Sequence, residues 1–149
     1  MNSGHAYYDS TTREQSHAVR ERQRAAEQPQ RYDGRGRHRS PEEVEESRRA
    51  GLPITIRLKV PDHGTVSFED AVRGKVSFEL KEIDDFVILK SVQMPTYHLA
   101  HIVDDKAMGI THVIMAEEWI SSTPPHLLIH HALRYEPPIY VPASLSSAP

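Results

Sequence analysis

Large apolar side chains are concentrated in one part of this chain, and that distribution limits what the chain can fold into. Residues 51–149 hold almost all of the Ile, Leu, Val and Phe, whereas residues 1–50 hold ten Arg, no Lys and nine acidic residues. So polar a segment cannot close a core of its own, because burial would not offset the conformational entropy lost on ordering. We therefore expect the first fifty residues to rely on packing partners outside that segment.

The composition of the 149 residues excludes several classes of protein. The chain has no cysteine, which excludes disulfide frameworks, thiolate zinc sites, iron–sulfur clusters and cysteine nucleophiles. No apolar run approaches the ~18 residues of a membrane-spanning helix, and the first ten residues have neither a signal-peptide nor a transit-peptide pattern. A net charge of −3 gives no general support for nucleic-acid binding. The sequence thus predicts a soluble intracellular protein with no membrane partner.

Two capping boxes predict helices in the polar part. The first box begins a helix over roughly 13–27, and the second, at residues 40–43, begins a helix that ends near residue 50. The possible pairs in the first box are Thr11 with Glu14 and Thr12 with Gln15. The first helix has a thin apolar face, so we expect it to lie on the surface.

The remainder alternates strand and helix patterns. Predicted strands cover 54–60, 66–68, 75–80, 86–91 and 111–115, and predicted helices follow Pro95 and Thr123. The continuous apolar runs at 86–91 and 111–115 are typical of buried strands, and an intervening helix predicts that these two strands pair in parallel. Leu127, Leu128 and Leu133 are expected to face inward, and the tail from Glu136 is expected to be irregular.

Candidate functional side chains follow the strand at 111–115. Glu117, Glu118 and Trp119 lie between its carboxyl end and the next helix, where open α/β folds bind anions and nucleotides. The alternative is that both glutamates are solvated loop acids and that Trp119 is a packing anchor.

The sequence supports a metal site less well than it supports an anion or nucleotide site. Asp104 and Asp105 have the chemistry to bind Mg²⁺, but such a pair also bonds to nearby backbone or to a basic residue. His98 with His101, and His126 with His130, are spaced to share a helix face as metal ligands sometimes do. Because no HExxH motif or third ligand accompanies them, we predict no metal site formed by the protein.

Several motifs in order resemble glutamyl-tRNA synthetase of the bacterial and organellar type, a class I aminoacyl-tRNA synthetase. They are YDGRGRHRSPEE, IRLKVP, DDFVILKS, PTYHLA, VDDKAMGITHVI and AEEWISSTP. The resemblance covers about residues 3–145. It implies an α/β fold: the second half of a Rossmann-type catalytic domain at 86–149, preceded by an α+β connective insertion at 1–85 that contacts the tRNA acceptor end.

The resemblance also implies a reaction and its ligands. Glutamate and ATP, accompanied by Mg²⁺, form glutamyl-adenylate, and tRNA(Glu) then takes the acyl group. Such a protein works in the bacterial cytoplasm or in an organelle such as the mitochondrion. The zinc site sometimes seen in this insertion is not expected, since Gly36 stands where many relatives carry Cys.

The resemblance assigns site residues one by one. Tyr97 matches the tyrosine that lines the glutamate pocket, and Trp119, Glu117 and Glu118 match the loop beside the adenylate. At two further positions of the glutamate pocket this chain departs from the family: His101 replaces an Asn, and Met115 replaces the glutamate-binding Arg. Methionine offers no hydrogen-bond donor. Loss of one partner in a desolvated charge pair costs about 2–5 kcal/mol, so weak selection for glutamate is expected.

No catalytic residue is assigned. The phosphate-binding His-x-Gly-His and Lys-Met-Ser-Lys-Ser-type signatures of the family do not occur in these 149 residues. We therefore expect a truncated ligase that is inactive as this chain. The alternative is a non-catalytic remnant that binds tRNA or another partner.

Overall fold

The computed structural model describes residues 4–70 and 73–143 of the chain. The strands are β1 Ala6–Asp9, β2 Thr55–Leu58, β3 Thr65–Asp70, β4 Gly74–Glu79, β5 Val87–Leu89, β6 His112–Ala116 and β7 Ile139–Ala143. The α-helices are α1 Arg13–Ala25, α2 Pro41–Arg49, α3 Tyr97–Met108 and α4 Thr123–Leu133. Short 3₁₀ helices cover Leu80–Glu82 and Glu117–Ser122. Within the described ranges, no helix is long and apolar enough to cross a membrane.

The chain divides into two compact units that are interleaved in sequence. Unit 1 comprises residues 1–60 and 84–96, and unit 2 comprises residues 61–83 and 97–149. The two units are defined by where the chain forms compact groups of contacts, and not by function. The predicted functional division into 1–85 and 86–149 remains a prediction.

Unit 1 joins two capped helices to a small antiparallel sheet of order β1-β2-β5. The Thr12 hydroxyl accepts from the backbone N–H of Gln15, whose side chain accepts from the N–H of Thr12. Ser40 and Glu43 make the same reciprocal pair at α2. Both predicted helix starts are therefore confirmed, because a capping box is encoded within a few consecutive residues.

Buried ion pairs take the place of a large apolar core in unit 1. Asp9 is almost fully buried and lies 2.6 Å from Nε of Arg57, whose guanidinium packs 3.7 Å from the centre of the Tyr32 ring. Burial alone would raise the pKa of Asp9, but hydrogen bonds from Thr11 and Arg57 hold it below its usual range. These pairs explain how so polar a segment packs.

A second buried carboxylate, Asp85, organises the other side of unit 1. Its side chain accepts hydrogen bonds from the Tyr7 hydroxyl at 2.6 Å and the Val60 N–H at 2.9 Å, and it is paired with the Arg37 guanidinium. Burial raises the pKa of Asp85, and the bonds from Arg37, Tyr7 and Val60 lower it by more, so the carboxyl titrates below its usual range.

Unit 2 is built on a four-stranded sheet of order β4-β3-β7-β6. β3 and β4 form an antiparallel hairpin, whereas β7 runs parallel to both β3 and β6. Phe68, Leu127 and Tyr140 form the buried core on one face, and the Phe68 and Tyr140 rings meet edge to face with centroids 5.4 Å apart. α4 is thus the crossover helix between the parallel strands β6 and β7.

The α/β class is confirmed, but the predicted strand pairing is wrong. β5 lies antiparallel to β2 in unit 1, and the parallel partner of β6 is β7, which arises from the tail expected to be irregular. The prolines at 137 and 138 lie between α4 and the strand, and they leave Ile139-Tyr140-Val141 free to pair. Pairing partners are non-local, so a local apolar run at 86–91 could not identify them.

Burial also differs from expectation at two positions. Ile114 of β6 is 74% exposed and Leu133 of α4 is exposed, whereas both were expected to be buried. Ile114 lies on the face of β6 opposite to Val113 and Met115, which pack against the core, and successive side chains of a strand point to opposite faces. Leu133 is the last residue of its helix, and α4 ends at Arg134 in a left-handed conformation.

Candidate functional site

A cavity of about 330 Å³ in unit 2 brings together most of the predicted site residues. Tyr97, His101, Met115 and Trp119 all line it, together with Ser122 and His126. It lies at the carboxyl end of β6, where the chain turns into the 3₁₀ helix before α4. This is the edge at which α/β folds gather functional side chains.

The first turns of α3 supply one wall of the cavity. Tyr97 and His101 are four residues apart, and their rings stack with centroids 5.4 Å apart and an interplanar angle of 11°. Tyr97 remains 61% exposed, so the outer face of its ring is available to a ligand. On its other side, His101 Nε2 lies 3.4 Å from a carboxylate oxygen of Asp105. The sequence alternative in which Asp105 pairs with a basic side chain is the one observed.

Met115 is the residue before the last of β6; it lines the cavity and points into unit 2. It packs against the core of Phe68, Leu127 and Tyr140. Its sulfur accepts a hydrogen bond from the hydroxyl of Thr123, a fully buried residue, at 3.7 Å. Thr123 therefore binds the thioether, and α4 begins at Thr123 itself, whereas the sequence predicted a helix that follows it. Ser122 occupies the cap position instead, without a side-chain cap bond.

The loop residues predicted beside the adenylate lie on the 3₁₀ helix that follows β6. Glu117 is its first residue, Glu118 is exposed, and Trp119 is half exposed and borders the cavity. Trp119 thus presents an aromatic surface at the mouth, which suits stacking against a planar group. The roles assigned to these three residues stay predictions.

Histidines from α3 and α4 form a cluster, and two of them, His101 and His126, line the cavity. His98 Nδ1 lies 3.0 Å from His126 Nε2, and the rings of His101 and His126 are 5.1 Å apart. Burial, followed by the charges of neighbouring histidines, lowers the pKa of His126 to about 4. The neutral form of His126 is therefore the one present at physiological pH.

His130 completes this cluster one turn further along α4. It is buried, and desolvation lowers its pKa while Asp105 opposes that effect. Its Nδ1 has no hydrogen-bond partner among the described residues. Within residues 4–70 and 73–143, no group of three or more His, Asp or Glu side chains is arranged to hold a metal ion.

His126 and Ser122 are the cavity residues that sequence reasoning missed. The spacing of His126 and His130 correctly placed both on one face of a helix, but the face was interpreted only as a possible metal pair. The approach of His126 to His98 depends on how α4 packs on α3, and no local motif encodes that distance.

Comparisons with known proteins agree on one family. The family model described as tRNA synthetases class I (E and Q), catalytic domain, matches residues 1–147. A glutamate–tRNA ligase of Clostridioides difficile is 46% identical over 141 residues, and one of Fusobacterium nucleatum is 50% identical over 141 residues. These alignments cover 95% of this chain but 29% and 28% of the two relatives.

Solved structures give the same result. A glutamate tRNA ligase from Elizabethkingia meningosepticum, solved in complex with its amino acid, superposes with a TM-score of 0.87 at 34% identity. The match covers 95% of this chain and 30% of that one. The chain thus spans about three-tenths of the length of the relatives it matches.

Proposed function

Because this chain belongs to the catalytic-domain family of the class I tRNA synthetases for E and Q, we propose that it takes part in the ATP-dependent attachment of glutamate to tRNA. The reaction is that of an aminoacyl-tRNA ligase: glutamate is first activated as an adenylate and then transferred to tRNA(Glu). The observation that carries the proposal is the alignment of 95% of the chain with glutamate–tRNA ligases at close to half identity.

Within that reaction we assign the cavity to the amino acid. Tyr97, His101 and Met115 would surround the glutamate, while Trp119 and the adjacent glutamates Glu117 and Glu118 would lie beside the adenylate. The clustering of four of these residues around one cavity supports the assignment. The Mg²⁺ that accompanies ATP would be bound through the phosphates, with the remainder of its shell filled by water and carboxylates.

The division of the chain into a connective insertion at 1–85 and a catalytic half at 86–149 is part of this proposal. The insertion would contact the acceptor end of the tRNA, and its twelve arginines give it the phosphate-binding chemistry for that contact. The cytoplasm or an organelle is the proposed location.

A second candidate is a non-catalytic protein that retains only ligand or tRNA binding. It is favoured by Met115, whose sulfur is engaged by Thr123 and offers no donor to a carboxylate. The absence of a Lys-x-Ser-Lys motif from the 149 residues also favours it, since catalysis in this family is positioning and charge stabilisation on phosphates.

Binding of a non-hydrolysable glutamyl-adenylate analogue tests the proposed site. Calorimetry should show binding to the chain, and Tyr97→Ala or Trp119→Ala should weaken it by about 10- to 100-fold through lost aromatic contact. Tyr8→Ala, a substitution in unit 1, should leave the affinity unchanged. Failure of the analogue to bind would remove the cavity as an adenylate site.

An ATP–pyrophosphate exchange assay with glutamate separates the two candidates. We expect no exchange above background from this chain by itself, and Met115→Arg should not restore it, because the phosphate-binding signatures would still be missing. Clear exchange by the wild-type chain would rule out the non-catalytic candidate.

A further inference from the structure

His101 stands between a carboxylate and the cavity. Its Nε2 faces Asp105 at 3.4 Å, its ring is stacked on Tyr97, and it lines the cavity. The side chain of His101 is 22% exposed and that of Asp105 20%. A carboxylate on one ring nitrogen and an aromatic face against the ring are two arrangements that stabilise an imidazolium. They leave Nδ1 as the ring nitrogen that is not directed at Asp105.

His126, the other imidazole of the cavity, has no carboxylate partner of this kind and faces a histidine instead. It is buried, its Nε2 meets a ring nitrogen of His98 at 3.0 Å, and only one proton fits between two nitrogens at that distance. Burial and the neighbouring histidines favour its neutral form.

We propose, on the premise that this cavity receives the amino acid, that His101 binds the side-chain carboxylate of an acidic amino acid as an imidazolium backed by Asp105. The carboxylate accepts a hydrogen bond from the imidazolium N–H. One proton is taken up from solvent when the site was neutral before binding. Because Met115 has no donor to offer, His101 is the cationic partner of the ligand and the residue that sets selection for an acidic side chain.

The groups that face His101 are consistent with the uptake of a single proton. On α3 they are Tyr97, His98 and Asp105, and on α4 they are His126 and His130. Asp105 is the acid of this set, and its carboxylate lies 3.4 Å from His101 Nε2. The other histidines repel a second positive charge, so further protonation is opposed.

Calorimetric titration of the full chain with L-glutamate and L-glutamine tests this inference. The two ligands have the same shape and differ in side-chain charge. Running each titration in two buffers of different ionisation enthalpy counts the protons taken up. We expect glutamate binding above neutral pH to take up close to one proton and to weaken by up to about tenfold per pH unit as the pH rises. Glutamine binding should take up none.

Three variants test whether the proton uptake belongs to His101. His101→Gln keeps a side-chain amide but cannot carry charge, so it should abolish proton uptake and reduce the preference for glutamate by about tenfold or more. His63→Asn replaces an exposed histidine of the same unit and should change neither quantity. Asp105→Asn should lower the affinity for glutamate while leaving that for glutamine unchanged.

The possible failures are distinguishable. Binding of both amino acids without proton uptake, or uptake that persists in His101→Gln, overturns the role of His101 and leaves the cavity as an amino-acid site. Binding of glutamine with no measurable binding of glutamate has the same meaning. Binding of neither amino acid overturns this inference together with the assignment of the cavity.

Discussion

Two arginine–aspartate pairs in unit 1 have nearly the same contact distance and different surroundings. Arg57 reaches Asp9 at 2.6 Å, with side-chain exposures of 15% and 1%, while Arg35 reaches Asp33 at 2.6 Å with exposures of 29% and 32%. Removing one partner from a buried pair leaves an uncompensated charge, whereas solvent screens an exposed pair. Burial decides how much each pair stabilises the fold.

Arg57→Met should therefore destabilise the protein far more than Arg35→Met. We expect a loss of about 3–5 kcal/mol in the free energy of unfolding for the buried pair and no more than about 1 kcal/mol for the exposed one. Urea denaturation followed by circular dichroism measures both. Similar losses from the two substitutions would show that burial of Asp9 is not what matters.

The buried carboxylates also give unit 1 a dependence on acid. The pKa values of Asp9 and Asp85 are lowered in the folded protein. Their contribution to the free energy of unfolding is therefore complete above the ordinary pKa of aspartate, which is near 4. It is lost as the pH falls through their folded values, because the unfolded chain binds protons first. Replacing Asp85 by Asn should flatten stability–pH curves recorded below about pH 5.

Among elements, local signals predicted more than non-local ones. The helices α1 and α2 follow from capping boxes confined to four residues, and the joint position of Tyr97 and His101 follows from i,i+4 spacing. The partner of β5 could not be predicted, because strand pairing joins residues that are far apart in sequence. β7 could not be predicted because the prolines at 137 and 138 are typical of an irregular segment. The position of His126 in the cavity could not be predicted either, because it depends on how α4 packs on α3.

The packing of α3 against α4 should depend on pH through His126. Its folded pKa, about 4, lies below the ordinary value of 6.5, so unit 2 is fully stabilised above 6.5 and loses stability as the pH falls toward 4. The shift corresponds to about 2–4 kcal/mol. His126→Gln should reduce this part of the pH dependence, measured as melting temperature against pH, whereas His63→Asn should not. An unchanged profile in His126→Gln would contradict the prediction.

At the scale of the whole molecule, the edge of the sheet in unit 2 is the main liability. β6 ends the described sheet order and presents Ile114 with 74% of its surface exposed. Exposed edges with apolar residues template pairing between chains. We expect the isolated chain to be marginally stable and prone to association, and a sharp cooperative melt of a monomer would contradict this.

Ile114→Lys tests whether the edge causes the association. A charge on the exposed face should reduce the aggregated fraction without lowering the melting temperature, because Ile114 contributes little to the buried core. Val113→Lys, one residue earlier and on the opposite face, should instead unfold unit 2, because Val113 packs against Phe68, Leu127 and Tyr140. Light scattering and a thermal melt on the same samples distinguish the two effects.

The interleaving of the two units affects the order in which the chain can fold during synthesis. The chain passes from one unit to the other three times, and β5, the third strand of unit 1, is encoded after the β3–β4 hairpin of unit 2. On the ribosome, β2 has no partner on its second edge until residues 84–96 emerge and supply β5. β3 stays without its partner β7 for longer still. Because the pairing strands of each unit are synthesised late, translation pauses and chaperones should influence the yield of folded protein more than single surface substitutions do.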